Sequence, residues 1–482
     1  MMTFENIYPE RVFYYFGELA KIPHGSRNTK EISDYLVQFA NDHELFSIQD
    51  EMNNVIIIKE ASSGYENAAP VIIQGHMDMV CEKENGCTID FTKDGLDLYI
   101  DGDFLKARGT TLGGDDGIAV AYALALLEAS DIPHPRLEVI VTVDEEIGML
   151  GAAEIDLSML KGRMMLNIDS DEEGIFICGC AGGMSVHTCI PVTRTRQSGT
   201  KFTITVNGLS GGHSGVEIDK EHGNADIIMG RVLRCIFNET PFGILSLEGG
   251  MKDNAIPREC TAEILLSDDK KEAVYEIVKQ MDTILKKELV SSDSGVTVSC
   301  TPDGSTEGDA LDFSSVNRVI YYLRTVPNGI LHMSQQMNGQ VETSLNLGIM
   351  KLTEDALTTV TSVRSSVSTR KAEVYDKVAA IVEMLGGTAE ATGDYPAWEY
   401  KQDSALRPTV EKVYEKLFHK KPVFETIHAG LECGLISEKI ENLDCVSFGP
   451  ANYDIHTPKE RLSISSTGRI WDFLTEFLRE MK

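Results

Sequence analysis

The sequence predicts an α/β protein in two domains, one interrupting the other, and three observations carry that prediction. Short β-branched runs alternate with helical patterns through the first third of the chain. The middle follows a β-α-β-β-α-β order. The motifs rich in acids and histidine lie before residue 190 and after residue 400. At 482 residues the chain is too long for a single core at roughly 100–200 residues per domain. We therefore expect a discontinuous domain with a mostly parallel central sheet, formed by residues 1–190 and 394–482, and an inserted α+β domain formed by residues 191–393.

Each element has its own signal. Apolar residues recur at helical spacing over 8–20 and again over 30–41, while 55–58 and 71–73 are β-branched runs suited to buried strands. Residues 117–129 are almost uniformly apolar and long enough for a buried helix, and strands follow at 137–143 and 164–168. The inserted domain opens with a strand at 201–206 and a helix at 224–237. Strands at 243–247 and 260–266, a helix at 270–289 and a strand at 296–300 complete one pass, which packs as a sheet with helices on one face. A second, incomplete pass runs through a helix at 313–324, strands at 343–352 and 357–367, and a helix at 371–385. Recurrence of a common motif explains it better than internal duplication, since identity between the two passes is slight. Helices at 408–418 and 470–481 belong to the returning segment.

Composition narrows the class. Asp plus Glu number 75 against 44 Lys plus Arg, a net charge of −31. Such a surplus repels phosphate backbones and anionic lipid, so neither nucleic acid nor a membrane is an expected partner. The ten cysteines form neither a zinc-knuckle spacing nor a secreted disulfide framework. No run approaches 18 apolar residues, and the first ten residues lack the cationic and apolar regions of a leader. A cytoplasmic protein with reduced thiols is the expectation.

The chemistry concentrates in five phrases. In VIIQGHMDMV, His76 and Asp78 lie two apart at the end of a strand and so on one side of it. A metal-ligating histidine oriented by an acid has this arrangement, and so does a structural core histidine. In TTLGGDDGIAVAYALALLEA, Asp115 and Asp116 precede a helix with no other charge for ten residues, which suits either helix capping or a ligand role. LEVIVTVDEEIGMLGA places Asp144, Glu145 and Glu146 after a buried strand. Adjacent acids there repel one another unless a cation or full solvation intervenes. MMLNIDSDEEG repeats the arrangement with Asp169, and VSFGPANYDIHTPKERL supplies His456 in a loop. Open α/β sheets bind ligands at the carboxyl ends of their strands. His76, Asp115, Glu146, Asp169 and His456 are all of the types zinc uses. Three carboxylates against two divalent cations leave one positive charge for a bridging hydroxide to cancel.

In this order the motifs resemble those of the co-catalytic zinc exopeptidases, a family that includes carnosinase, carboxypeptidase G and succinyl-diaminopimelate desuccinylase. The resemblance covers nearly the whole chain. The phrases GHMDMVCEK, LGGDDGIA, DEEIGMLGA, NIDSDEEG and HAGLECG bring it nearest to the bacterial aminoacyl-histidine dipeptidase (Xaa-His dipeptidase) branch. The resemblance implies that Asp115 bridges two metals, with His76 and Asp169 completing one site and Glu146 and His456 the other. A cis peptide between Asp115 and Asp116 is implied as well. Glu145 is implied as general base and Asp78 as the group orienting His76.

The resemblance extends to the inserted domain, which it makes a lid and dimerisation domain. His213 in NGLSGGHSG would stabilise the oxyanion in the neighbouring subunit of a homodimer. Asn254, Arg364 and Gly430 match substrate-gripping positions, and Arg364 suits a free carboxylate because guanidinium binds it bidentately. The implied activity is hydrolysis of unblocked dipeptides, Xaa-His and carnosine-like ones among them, by a metal-bridging hydroxide. Zinc is the first expectation for the cations, and manganese and cobalt tolerate the same ligands. A deacylase of N-acylated amino acids on the same scaffold is the alternative.

Overall fold

A computed structural model describes residue 4 and residues 6–482, which divide into two compact units. The first comprises residues up to 180, 400–426 and 431–482; the second comprises 181–399 and 427–430.

The first unit is built on an eight-stranded sheet. Its four central strands are parallel, in the order Leu137–Thr142, Val71–His76, Met164–Asn167 and Asp444–Ser447. The strand Val55–Lys59 flanks them antiparallel on one side and Ile175–Cys180 on the other. The sheet is therefore mixed: the expected parallel pairing holds at its centre. The short link between Phe46–Gln49 and Val55–Lys59 permits only an antiparallel pair. Val71–His76 and Leu137–Thr142 are buried along their whole length, which is why they read as continuous apolar runs. Their register sets His76 opposite Thr142, Gln74 opposite Asn167 and Asn167 opposite Ser447. Four strands thus end at one edge, and the loops that follow them start side by side.

The helix Gly114–Glu128 packs against this edge, with every residue from Asp116 to Leu127 buried. It approaches closely because Gly75 has no side chain. A Cβ there would lie 2.5 Å from both Asp116 Oδ2 and Ala119 Cβ. A small four-stranded sheet, which joins Asn452–Tyr453 and Arg461–Ser463 to Phe104–Ala107 and Leu98–Asp101, presents residues 454–460 as a hairpin. At the rear of the unit Phe176 contacts Tyr414, Phe448 and Phe473 at centroid separations of 5.3–5.5 Å.

The second unit holds a nine-stranded sheet: two four-stranded halves, with Gly329–Met333 paired beside them to Val341–Leu352. Thr297–Leu311, Arg194–Asn207, Cys260–Leu266 and Gly243–Gly249 form one half; Val341–Leu352, Ala356–Ser365, Gly182–Pro191 and Thr388–Tyr395 form the other. The halves join through only two paired positions, Glu248 with Lys351 and Gly249 with Met350. The β-α-β-β-α-β pass is present in the first half with its helices Ala225–Glu239 and Lys271–Glu288. The second half is completed by Gly182–Pro191, a strand the sequence did not signal. That strand pairs with Ala356–Ser365 over ten positions. The chain therefore passes into the second unit at Ala181, and the joins expected at 190 and 394 fall inside strands of the second sheet. Among the described residues no helix is long and apolar enough to cross a membrane.

Gly75→Ala tests the close approach. The variant should lose about 1–3 kcal/mol of stability, because a methyl forced into a packed contact displaces the helix or the Asp116 carboxylate. A denaturation midpoint equal to that of the parent would show that the gap closes without cost.

Candidate metal centre

His76 ends its strand with its ring buried. Its Nδ1 lies 2.9 Å from the Asp78 main-chain oxygen and 3.5 Å from the Asp78 carboxylate. The nearer partner is thus the carbonyl, while the carboxylate is held by the Ser26 hydroxyl at 2.8 Å and the Glu145 N–H at 3.1 Å. With Nδ1 directed at Asp78, Nε2 faces the loops.

Asp115 stands at the centre of those loops. One of its oxygens lies 3.2 Å from His76 Nε2 and the other 3.2 Å from His456 Nε2. His456, at the hairpin tip with φ of 60°, is also 3.0 Å from Glu146 Oε2. Asp169 and Glu145 reach His76 Nε2 at 3.9 and 4.0 Å. The ligand atoms of Asp115, Glu146 and His456 fall within 4.8 Å of one another, as do those of His76, Asp116 and Asp169, and those of His76, Glu145 and Glu146. All five expected ligands therefore gather at one edge of the first unit.

Two details add to the expected set. Asp116 joins the group around His76, where its Oδ2 accepts the His76 N–H at 3.2 Å, so its carboxylate is tied to the main chain. The Asp115–Asp116 peptide is cis, as the resemblance implied. Glu145 and Glu146 approach the same imidazole. Asp144 adopts φ of 55° and its carboxylate accepts the Arg27 N–H at 2.6 Å. The chain then turns, with Glu145 O accepting from Gly148 and Met149, and both glutamates approach His76.

The cluster is electrostatically crowded. Burial and the neighbouring charges of Glu432, Glu146 and Asp115 outweigh His76 and push Glu145 up to about 8. Burial and repulsion from Asp116 raise Asp169 as well. Hydrogen bonds to Asp115 and Glu146 push His456 up to about 10. Burial works against ionised Asp115, yet the flanking imidazoles hold it below the usual carboxylate range. Protons occupy the space between the acids, where divalent cations fit equally well: two imidazoles and several carboxylates are the donor set of a zinc or manganese site.

Two supporting acids carried no sequence signal. The buried Glu460, four residues after His456, accepts the N–H groups of Leu112, Gly113, Gly114 and Asp115 at 2.7–3.2 Å. One side chain so ties the His456 hairpin to the Asp115 loop. Glu432, fully buried, accepts from Gln74 Nε2 and Thr142 Oγ1 at 2.6 Å each. It bridges the strands that deliver His76 and the Glu145–Glu146 pair.

The remaining expected positions belong to the second unit. Arg364 is buried there; its Nη1 donates to Tyr395 Oη at 3.1 Å, and its Nε has no hydrogen-bond partner. Burial and this guanidinium lower His213 and bring His428 down to about 3, so His428 is neutral at physiological pH. His428 Nε2 lies 2.8 Å from Ser344 Oγ. Although it opens the phrase HAGLECG, the sequence did not single it out. His213 Nδ1 accepts the N–H groups of Gly215 and Val216 at 3.1 and 3.2 Å. In the neutral ring this leaves Nε2 protonated and a donor. Asn254 is exposed beside it, its carbonyl accepting the Ser214 N–H at 2.8 Å. Gly430 is half-buried, two residues beyond His428.

Comparison with known proteins agrees with this geometry. Residues 72–480 match the sequence profile of peptidase family M20/M25/M40. The chain is 36% identical to the cytosol non-specific dipeptidase of Escherichia coli (strain K12), over 100% of this chain and 99% of that one. It superposes on the crystal structure of aminoacylhistidine dipeptidase from Vibrio alginolyticus with a TM-score of 0.94 and 34% identity, covering 99% of this chain and 98% of that one. Aminopeptidase PepT from Bacillus cereus ATCC 10987 shares the fold, with a TM-score of 0.56 at 15% identity over 98% and 99% of the two chains.

Cation binding should release protons. Glu145 and His456 hold protons below about 8 and about 10 respectively in the absence of cations; cations displace both, from His456 by coordination and from the neighbouring Glu145 by their charge. Release should therefore be largest at neutral pH and shrink as pH rises through those values, while affinity increases over the same range. Calorimetric titration with zinc or manganese in buffers of different ionisation enthalpy measures this directly. A binding heat independent of buffer and an affinity independent of pH would place the cations elsewhere.

Proposed function

The chain belongs to peptidase family M20/M25/M40 and is a hydrolase acting on peptide bonds, and we propose that it cleaves unblocked dipeptides, Xaa-His and carnosine-like ones included, at a pair of divalent cations. The observation carrying this reading is the Asp115 carboxylate, with an imidazole 3.2 Å from each of its oxygens. His76 and Asp169 would complete one cation site, and Glu146 and His456 the other. Zinc is the expected metal. Two cations held here supply an activated water at neutral pH and polarise the scissile carbonyl.

The side chains do the rest. Glu145, ionised when cations sit beside it, collects the proton of the attacking water and returns it to the leaving amine. Asp78 keeps the His76 ring in place through its carbonyl and carboxylate. His213, whose Nδ1 is already engaged by two N–H groups, offers Nε2–H to the carbonyl oxygen as charge develops there. Arg364, buried and with an unused Nε, grips the free carboxylate of the dipeptide, with Asn254 and Gly430 beside it. The reading includes a homodimer through the inserted domain, with that domain acting as a lid and His213 serving the neighbouring subunit. A cytoplasmic location agrees with ten free cysteines. Deacylation of N-acylated amino acids is not favoured, since the two full-length relatives are both named as dipeptidases.

Glu145→Gln should keep its cations and lose kcat by about 10²–10⁴-fold, as for a missing general base. Asp115→Ala should lose both cations in elemental analysis. Retention of a full complement by the alanine variant would remove Asp115 from its bridging role.

A panel of Xaa-His dipeptides, carnosine, other dipeptides, their C-terminal amides and acetylated amino acids tests the substrate class. Free dipeptides should be turned over and acetylated amino acids should not. Arg364→Gln should raise KM by about 10–100-fold for free dipeptides and leave the amides unaffected, since a charge-assisted bond contributes about 1.5–3 kcal/mol. Equal loss on both substrate forms would place the carboxylate elsewhere.

Subunit mixing decides how His213 acts. A heterodimer of His213→Ala with Asp115→Ala contains one centre with intact cations and an intact histidine from the partner. Each parent variant alone should lose about 10²–10³-fold or more, and mixing should restore activity. Demonstrated subunit exchange without recovery would place His213 in its own chain's site.

A further inference from the structure

The inserted unit carries a feature that dipeptide hydrolysis leaves unexplained. A cleft of about 600 Å³ opens among the helices Ala225–Glu239, Phe313–Thr325 and Ser368–Met384, a size within the roughly 300–1,000 Å³ range of small-molecule sites. Three guanidinium groups line it, those of Arg234, Arg318 and Arg324, and no carboxylate does. In a chain with 75 acids and 44 bases this is the reverse of the local charge balance expected. Three other arginines of the unit are paired: Arg231 with Glu288 at 2.6 Å, Arg370 with Glu373 at 3.2 Å and Arg196 with Glu307 at 3.4 Å. Among the described residues, none of the three cleft arginines makes an ion pair. Asp312 is within electrostatic reach of Arg318, but its carboxylate accepts the Ser315 N–H at 2.7 Å and caps the helix.

Arg318 is anchored from behind. Its Nη2 donates to Ser315 Oγ at 3.0 Å; Ser315 is fully buried, and its Oγ in turn accepts the Thr193 N–H at 2.8 Å. Arg234 and Arg324 are exposed on the same cleft. Tyr321, 53% exposed, places an aromatic ring on the same wall. We propose that this cleft binds a small ligand bearing a dianionic phosphate group, which the arginines grip while the Tyr321 ring flanks the body of the ligand. Guanidinium is matched to phosphate by its bidentate fork. A long polyanion is disfavoured by the net charge of −31.

The test is calorimetry on the cation-loaded protein with adenosine monophosphate as probe, beside inorganic phosphate, adenosine and citrate. Adenosine monophosphate should bind saturably at one site and adenosine should not; tighter binding of the monoester than of inorganic phosphate marks the ring contact. Arg318→Gln and Arg324→Gln should each weaken binding by about tenfold or more, as for a lost charge-assisted bond, with dipeptide turnover unchanged. Arg324 is exposed, so its replacement keeps the test decisive should Arg318→Gln fail to fold. Asp115→Ala should still bind the probe, separating this site from the metal centre. No saturable binding, binding that survives both arginine changes, loss of binding in Asp115→Ala, or tighter binding of citrate would each overturn the proposal. A change of oligomeric mass in the arginine variants would do so too, since the cleft would then face a second copy of the chain.

Discussion

The first unit depends on one carboxylate that faces two imidazoles. Asp115 can hold that position only if loops from distant parts of the chain converge on it and if the surrounding negative charge is compensated. The parallel strands meet the first condition, because their register brings His76, Thr142, Asn167 and Ser447 to a common edge. The second is met by protons in the cation-free protein, and the raised Glu145 and His456 show how strongly the site asks for positive charge. Crowded acids buried together are unstable unless such a counter-charge is present.

Holding the loops falls to groups that do not themselves offer a ligand atom. Glu460 uses its carboxylate on four successive main-chain N–H groups, so the Asp115 loop has little freedom to swing. Glu432 joins two strands through Gln74 and Thr142 but leaves Oε1 without a partner, and burial pushes it up to about 7. A buried carboxylate is costly unless hydrogen-bonded. Burial raises both, but Glu460 engages both of its oxygens with main-chain donors, whereas Glu432 leaves one oxygen unpaired.

The second unit has the opposite electrostatic character around Arg364. A buried guanidinium with an unused donor disfavours any further positive charge nearby, and His213 and His428 are accordingly held neutral. Under the proposed reading the two characters suit the two ends of a dipeptide. In that reading the acid cluster would collect cations that act on the scissile carbonyl, and the guanidinium would take the carboxylate. Neutral His213 would then donate a hydrogen bond without competing for a proton.

The sequence by itself determined the class of fold and the chemical types at the centre. Fully buried strands read as apolar runs, and ligands fall after such runs because the carboxyl ends of parallel strands are where loops converge. His76, Glu146 and Asp169 were legible as candidate ligands for that reason, Asp115 by its place ahead of an apolar helix and His456 by its loop phrase. Local pattern also placed the helix Gly114–Glu128, whose buried stretch 117–127 carries no charge. Tertiary structure alone decided the rest. The strand Gly182–Pro191 has little identity of its own, and its role comes from pairing with Ala356–Ser365 far along the chain. Glu145 and Glu146 share a face because Asp144 takes a left-handed conformation fixed by the Arg27 N–H. Glu460 gave no signal, since its four partners lie some 345 residues away and are backbone groups, which every residue type but proline presents alike. Residue types announce which atoms can bind a cation; only the folded chain decides which of them meet and which acids hold them in place.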